Sequence, residues 1–160
     1  MDSTALASLL IDLLKTQKKT ITTVESCTGG LMAAAITAIS GSSEVFETGF
    51  ITYSNAAKTA LVGVPETLFP LNGAVSEEVA FAMAEGALKT AGADIALSVT
   101  GIAGPTGGSA EKPVGMVCFG LGHGGETFTR TQQFGNIGRD AVREKSVAYA
   151  LKWAIDTLSA

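Results

Sequence analysis

The apolar residues of this chain change spacing repeatedly along its length, and that alternation restricts the fold more than any other feature. Leu6, Leu9, Leu10, Leu13 and Leu14 recur at i, i+3, i+4, i+7 and i+8. This is the spacing of an amphipathic helix, for which Ser3 is the expected N-cap. Thr20 to Glu25 is β-branched and reads as a strand. An alanine-rich helix is expected from about Leu31 to Ile39, stopping before Gly41. Phe46–Tyr53 reads as a second strand, and Asn55 is placed to cap a short helix through Leu61. Ser76 is expected to cap a further helix reaching Thr90, with Glu77 and Glu78 in its first turn. Asp94–Thr100 suits a buried strand, and Val114–Leu121 with Thr127–Phe134 suits a hairpin turning through Gly122-His123-Gly124-Gly125. A helix from Arg139 to Leu158 closes the chain. Interleaved helices and strands of this kind predict an α/β fold. The expectation is a single-domain three-layer α/β/α sandwich with a mixed β-sheet, spanning residues 1–160.

Composition narrows the function classes. Alanine and glycine together make up about 27% of the 160 residues, which suits close helix–sheet packing. Charged residues are 16%, below the roughly 25% of ordinary soluble domains. A net charge of −4 with only three arginines argues against a nucleic-acid partner, since such binding draws on many Lys and Arg. Two cysteines, Cys27 and Cys118, make no disulfide framework, and a reducing compartment is the default. The longest uncharged run, Cys27–Ser43, has too short an apolar centre to span a membrane. The acidic Met1-Asp2-Ser3 start is unlike a signal peptide. A cytoplasmic protein without a membrane partner is expected.

Two glycine-rich loops directly follow strands: Ser26-Cys27-Thr28-Gly29-Gly30 and Thr100-Gly101-Ile102-Ala103-Gly104-Pro105. Ligands of open α/β sheets gather beyond the carboxyl ends of strands. Neither loop matches a P-loop or a dinucleotide motif. The first also opens a helix, whose free N–H groups suit an anion. Ser26 reads either as a nucleophile near backbone N–H donors or as a helix N-cap. Cys27 is a second nucleophile candidate, because helix N-termini lower thiol pKa values. If Ser26 faces the site, however, its neighbour points elsewhere.

A nucleophilic serine needs a base. The one histidine, His123, lies at a hairpin tip away from both loops. One histidine and two cysteines without CxxC spacing also make a poor metal site, so no metal is expected. A lysine or a carboxylate is left. Lys58, in the mostly apolar Asn55–Leu61 segment, reads as a partly desolvated base or as a snorkelling surface lysine. Tyr53 is placed to hydrogen-bond the serine or the amine. Arg139 and Arg143, four apart at the start of the last helix, share a face that suits a phosphate or solvent.

Several blocks together carry a family resemblance. They are Val24-Glu25-Ser26-Cys27-Thr28-Gly29-Gly30; Gly49-Phe50-Ile51-Thr52-Tyr53-Ser54-Asn55 with Lys58; and Gly73-Ala74-Val75-Ser76. Ser98-Val99-Thr100-Gly101-Ile102-Ala103-Gly104-Pro105, Gly107-Gly108, Lys112-Pro113-Val114-Gly115 and Arg139-Asp140-Ala141-Val142-Arg143 complete the set. In this order, from about Leu6 to Leu158, the chain resembles the CinA C-terminal domain family. The resemblance implies an amidohydrolase that converts nicotinamide mononucleotide (NMN) and water to nicotinic acid mononucleotide and ammonia, in pyridine nucleotide recycling, without cofactor or metal. It implies Ser26 as nucleophile, Lys58 as general base and Tyr53 as an assisting hydroxyl. It implies a substrate pocket lined by Thr28, Gly29, Gly30, Thr100, Gly101 and Gly104, and a homodimer. Arg139 and Arg143 are added as candidate phosphate ligands. The larger proteins of the family carry an extra N-terminal domain, whose activity is not expected of 160 residues. The competing expectation is a non-catalytic nucleotide-binding or competence- and DNA-damage-associated interaction module.

Overall fold

The computed structural model describes all 160 residues. The chain runs α1 (Ser3–Gln17), β1 (Ile21–Glu25), α2 (Leu31–Thr37), β2 (Phe46–Ile51), α3 (Asn55–Val62), α4 (Leu68–Asn72) and α5 (Glu77–Ala91). It continues through β3 (Ile95–Gly101), β4 (Met116–His123), β5 (Glu126–Gln133) and α6 (Arg139–Ser159). The five strands form one sheet in the order β2-β1-β3-β4-β5. β1 pairs in parallel with β2 and β3, while β4 and β5 are antiparallel. The sheet is therefore mixed, and helices cover both faces, as the interleaved pattern predicts.

Strand alternation assigns the two faces. Ile95, Leu97 and Val99 of β3 join a large apolar cluster with Leu6, Leu10 and Leu14 of α1 and with Val147, Leu151 and Trp153 of α6. Each fully buried aliphatic side chain there is worth roughly 1.5–3 kcal/mol. On the other face, Val24 packs with Val62, Val79, Met83 and Ala87. That side is built for close approach. A Cβ on Gly86 of α5 would sit 1.8 Å from the Val62 carbonyl oxygen, so glycine alone lets α3 settle on α5.

The ends of several elements differ from expectation. Asp2, not Ser3, caps α1, its carboxylate accepting the Ala5 N–H at 2.9 Å. Ser54, not Asn55, caps α3, its hydroxyl accepting the Ala57 N–H at 3.1 Å. Ser76 caps α5, in line with the sequence pattern. α2 stops at Thr37 and is followed by a 3₁₀ turn at Ser42–Glu44. α4 has five residues with Pro70 among them, too few to show a period in sequence. His123 pairs with Glu126 as the last rung of the hairpin, so the turn itself is only Gly124-Gly125.

One end of the sheet collects the loops. Glu25, Ile51 and Gly101 end β1, β2 and β3 there, and because the neighbouring pairings are antiparallel, β4 begins and β5 ends at the same side. α6 starts six residues after β5.

Candidate active site

Backbone hydrogen bonds carry the sheet just past β1 and fix where Ser26 points. The Ser26 N–H donates to the Val99 carbonyl at 2.9 Å, and the Thr52 N–H donates to the Glu25 carbonyl at 2.7 Å. Alternation then sends Val24 and Ser26 toward α3 and α5, and Glu25 and Cys27 toward α2 and α6. Lys58, on the first turn and a half of α3, meets Ser26 there. Its Nζ lies 3.0 Å from Ser26 Oγ and donates to the Thr52 carbonyl at 2.8 Å. Lys58 is 1% exposed and has no carboxylate partner. Of the two sequence readings, a desolvated lysine is the one observed. Burial disfavours the ammonium and lowers its pKa from 10.5 to about 8, and the nearby Cys27 opposes this only in part. Ser26 is not a helix cap, because Gly30 occupies that position before α2.

The turn after Ser26 needs glycine. Gly29 and Gly30 have φ of 56° and 106°, in the left-handed region where a side chain is strained. The Gly29 N–H is spent on the Ser26 carbonyl at 3.0 Å, which removes it as an oxyanion donor. The N–H groups of Thr28 and Gly30 have no protein acceptor.

The expectation that α2 offers its N-terminus to an anionic ligand is overturned. The buried carboxylate of Glu25 already fills that place, accepting the N–H groups of Met32 at 2.8 Å and Ala33 at 3.0 Å. Cys27 is also resolved. Its thiol is buried and pushed up to about 12, first by desolvation, with the Glu25 charge adding to the effect. A helix N-terminus whose field is neutralised by a carboxylate does not activate a thiol.

Two arginines of α6 tie the loops together. Arg143 Nε donates to the Cys27 carbonyl at 3.1 Å and Nη2 to the Thr28 carbonyl at 3.2 Å. Arg139 Nη1 donates to the Gly104 carbonyl at 3.0 Å and Nη2 to the Tyr53 hydroxyl at 2.8 Å. Tyr53 thus bonds Arg139 and neither Ser26 nor Lys58. Its ring is 62% exposed at the mouth of the site. The Thr100 hydroxyl donates to the Ala74 carbonyl at 2.8 Å, linking the second loop to the segment before α5. A Cβ on Gly101 would lie 2.7 Å from Val117 Cγ2, and one on Gly104 2.5 Å from Val114 Cγ1, so both glycines serve packing.

Sequence reasoning missed Thr52 and Glu25. Thr52 acts through its carbonyl, which leaves no trace in residue type. Glu25 left one signal, a carboxylate ending a β-branched strand directly before the first glycine loop. His123 sits at the opposite end of the sheet, its Nε2 3.2 Å from Lys19 Nζ. No cluster of three or more His, Cys, Asp or Glu side chains could hold a metal ion. The largest groove, about 1280 Å³ between α3 and α5, is lined by Leu61, Pro65, Phe81 and Glu85 among others and touches neither Ser26 nor Lys58. No helix is long and apolar enough to cross a membrane.

A mixed α/β sandwich of this topology has known counterparts. The chain belongs to the CinA C-terminal domain family, whose model matches residues 3–158. Among its relatives is the nicotinamide-nucleotide amidohydrolase PncC of Enterobacter agglomerans, 56% identical over 136 residues covering 84% of this chain and 82% of that protein. The protein of the same name from Escherichia coli K12 is 55% identical over 140 residues, covering 87% and 84%. The crystal structure of the competence/damage inducible protein CihA of Agrobacterium tumefaciens matches with a TM-score of 0.96 at 42% identity, covering 100% of this chain and 97% of that one. The chain is an enzyme of the amidohydrolase class.

Proposed function

We propose that this enzyme hydrolyses the carboxamide of NMN to nicotinic acid mononucleotide and ammonia, recycling pyridine nucleotides by a Ser26/Lys58 mechanism. The observation that carries this reading is the 3.0 Å contact between Ser26 Oγ and a lysine amine buried to 1% exposure. A non-catalytic nucleotide-binding module would keep the glycine loops but would have no use for a desolvated lysine beside a serine.

The chemistry follows from that contact. With one N–H held by the Thr52 carbonyl, neutral Lys58 turns its lone pair to Ser26 and takes the hydroxyl proton as Oγ bonds the carboxamide carbon. The carbonyl electron pair moves onto oxygen, where the free N–H groups of Thr28 and Gly30 stabilise it. As the tetrahedral adduct collapses, the C–N bond breaks and the protonated Lys58 delivers its proton to the leaving nitrogen, releasing ammonia. Lys58, neutral again, takes a proton from water as the water attacks the ester, and returns it to Ser26 Oγ. Tyr53 accepts from Arg139, so its own proton remains free for the departing nitrogen or the substrate. Because Glu25 fills the α2 terminus, the substrate phosphate falls to the exposed guanidinium of Arg139, supported by Arg143, rather than to that helix.

Ammonia release from NMN by the purified protein, alongside Ser26→Ala and Lys58→Ala, tests the proposal. Both variants are expected to lose at least about 10³-fold in kcat while staying folded. An inactive wild type, or near-normal turnover in either variant, overturns it.

A further inference from the structure

Beyond the serine and lysine, and resting on the mechanism above, the geometry points to Glu25 as the positioning residue of the nucleophile turn. We propose that its carboxylate sets the placement of Ser26 Oγ and of the Thr28 and Gly30 N–H groups during the reaction.

Glu25 ends β1 and is fully buried. Both of its oxygens are used, and all three bonds go to the segment that follows Ser26. Oε1 accepts from Thr28 Oγ1 at 2.6 Å and from the Met32 N–H at 2.8 Å, while Oε2 accepts the Ala33 N–H at 3.0 Å. Met32 and Ala33 are the second and third residues of α2, whose N–H groups a capping side chain ordinarily takes. Gly30 holds the cap position and has no side chain to offer, because the turn there requires φ of 106°. The capping duty has moved to a residue five positions earlier, on the far side of the serine.

That displacement has a consequence for the turn. An ordinary cap holds only its own helix, whereas Glu25 ties the end of β1 to both Thr28 and α2 and closes a loop around Ser26. Within the loop, the Gly29 N–H bond to the Ser26 carbonyl fixes the middle. The N–H groups of Thr28 and Gly30, which have no protein acceptor, lie between these anchors. A buried carboxylate is costly unless well hydrogen-bonded. A seven-residue helix does not by itself require one. A turn that must hold an oxygen nucleophile and two donors within a fraction of an ångström does, since a misplacement of about 1 Å costs on the order of 10²-fold in rate.

The experiment is steady-state kinetics on NMN with Glu25→Gln, Thr28→Val and Thr28→Ser, each checked for folding by circular dichroism. Ser26→Ala is run in parallel. Glu25→Gln keeps size but presents an amide N–H₂ where an acceptor is needed. It is expected to lower kcat on the order of 10²-fold, with KM within about threefold and the pH midpoint of the rate unchanged. Thr28→Val, which loses the hydroxyl bond to Glu25, is expected to lose more kcat than Thr28→Ser, which keeps it. If Glu25→Gln does not fold, the Thr28 pair decides the question. A folded Glu25→Gln with kcat within threefold of wild type overturns the proposal. So does a loss carried entirely by KM, or equal behaviour of the two Thr28 variants. Activity retained by Ser26→Ala refutes the serine mechanism itself. Loss there with normal Glu25 and Thr28 variants refutes only the positioning role.

Discussion

Burial of Lys58 makes a quantitative prediction about pH. At pH 7.5 a lysine of pKa 10.5 is neutral in about 0.1% of molecules, whereas one of pKa about 8 is neutral in about 24%. Desolvation therefore raises the population of the base about 240-fold at that pH. The rate at low NMN concentration, kcat/KM, is expected to rise about tenfold per pH unit below pH 7, to bend near pH 8 and to level above about pH 9. The same lowered pKa governs stability, and its sign is fixed. Well below pH 8 the lysine is protonated whether folded or unfolded. Between about 8 and 10.5 the unfolded chain binds the proton and the folded chain does not, so stability attributable to Lys58 rises with pH through that window. Each pH unit of the window is worth about 1.4 kcal/mol, so the full gain is about 3 kcal/mol. The Cys27 thiol works the other way: it ionises more easily unfolded than folded, so it removes stability as pH climbs above its ordinary value of 9.0. The measurement is accordingly a difference, urea unfolding of wild type against Lys58→Met at pH 7.5, 9 and 10.5, in which most of the thiol contribution cancels because Lys58 is the weakest of the influences on Cys27. Wild type should gain on the variant across the series. A flat difference, or a rate profile whose midpoint lies at 10 or above, would refute desolvation as the source of the base.

Gly86→Ala places a methyl group against the Val62 carbonyl, so α3 must shift. It is expected to cost about 1–3 kcal/mol in urea unfolding and to lower kcat, because Lys58 rides on the same helix. Cys27 is expected to resist a thiol reagent at pH 8 in the native state and to react once urea unfolds the chain, as read by absorbance. Arg139→Ala should raise KM for NMN more than it lowers kcat, with Tyr53→Phe doing the opposite. Their double variant should lose less than the sum, because the two side chains share one hydrogen bond. Preincubation with a chelator should leave ammonia release unchanged.

The helix and strand order, the mixed α/β class and the placing of both glycine loops after strands are legible in the sequence, because periods of 3.6 and 2 reflect which side of an element meets the core. Leu6 through Leu14 name their own buried stripe, and β3 shows its double burial as a run from Ile95 to Val99 in which Ser98 alone is polar. Helix caps are less legible: Asp2 and Ser54 displace neighbours of equal capping ability, a choice made by backbone angles rather than residue type. Residue type and position nominate Ser26 and Lys58 as a nucleophile and a base. Only the packing of α3 on Gly86 and the hold of the Thr52 carbonyl bring Nζ to 3.0 Å from Oγ and strip the amine of water. The occupant of the α2 terminus escapes a sequence reading for the same reason. A free helix N-terminus is a local property, but whether it is free depends on where the Glu25 side chain turns. That direction is set by the alternation of β1 within the sheet. Residue type decides which groups can do chemistry; the distances and desolvation that let them do it come from contacts between segments far apart in the chain.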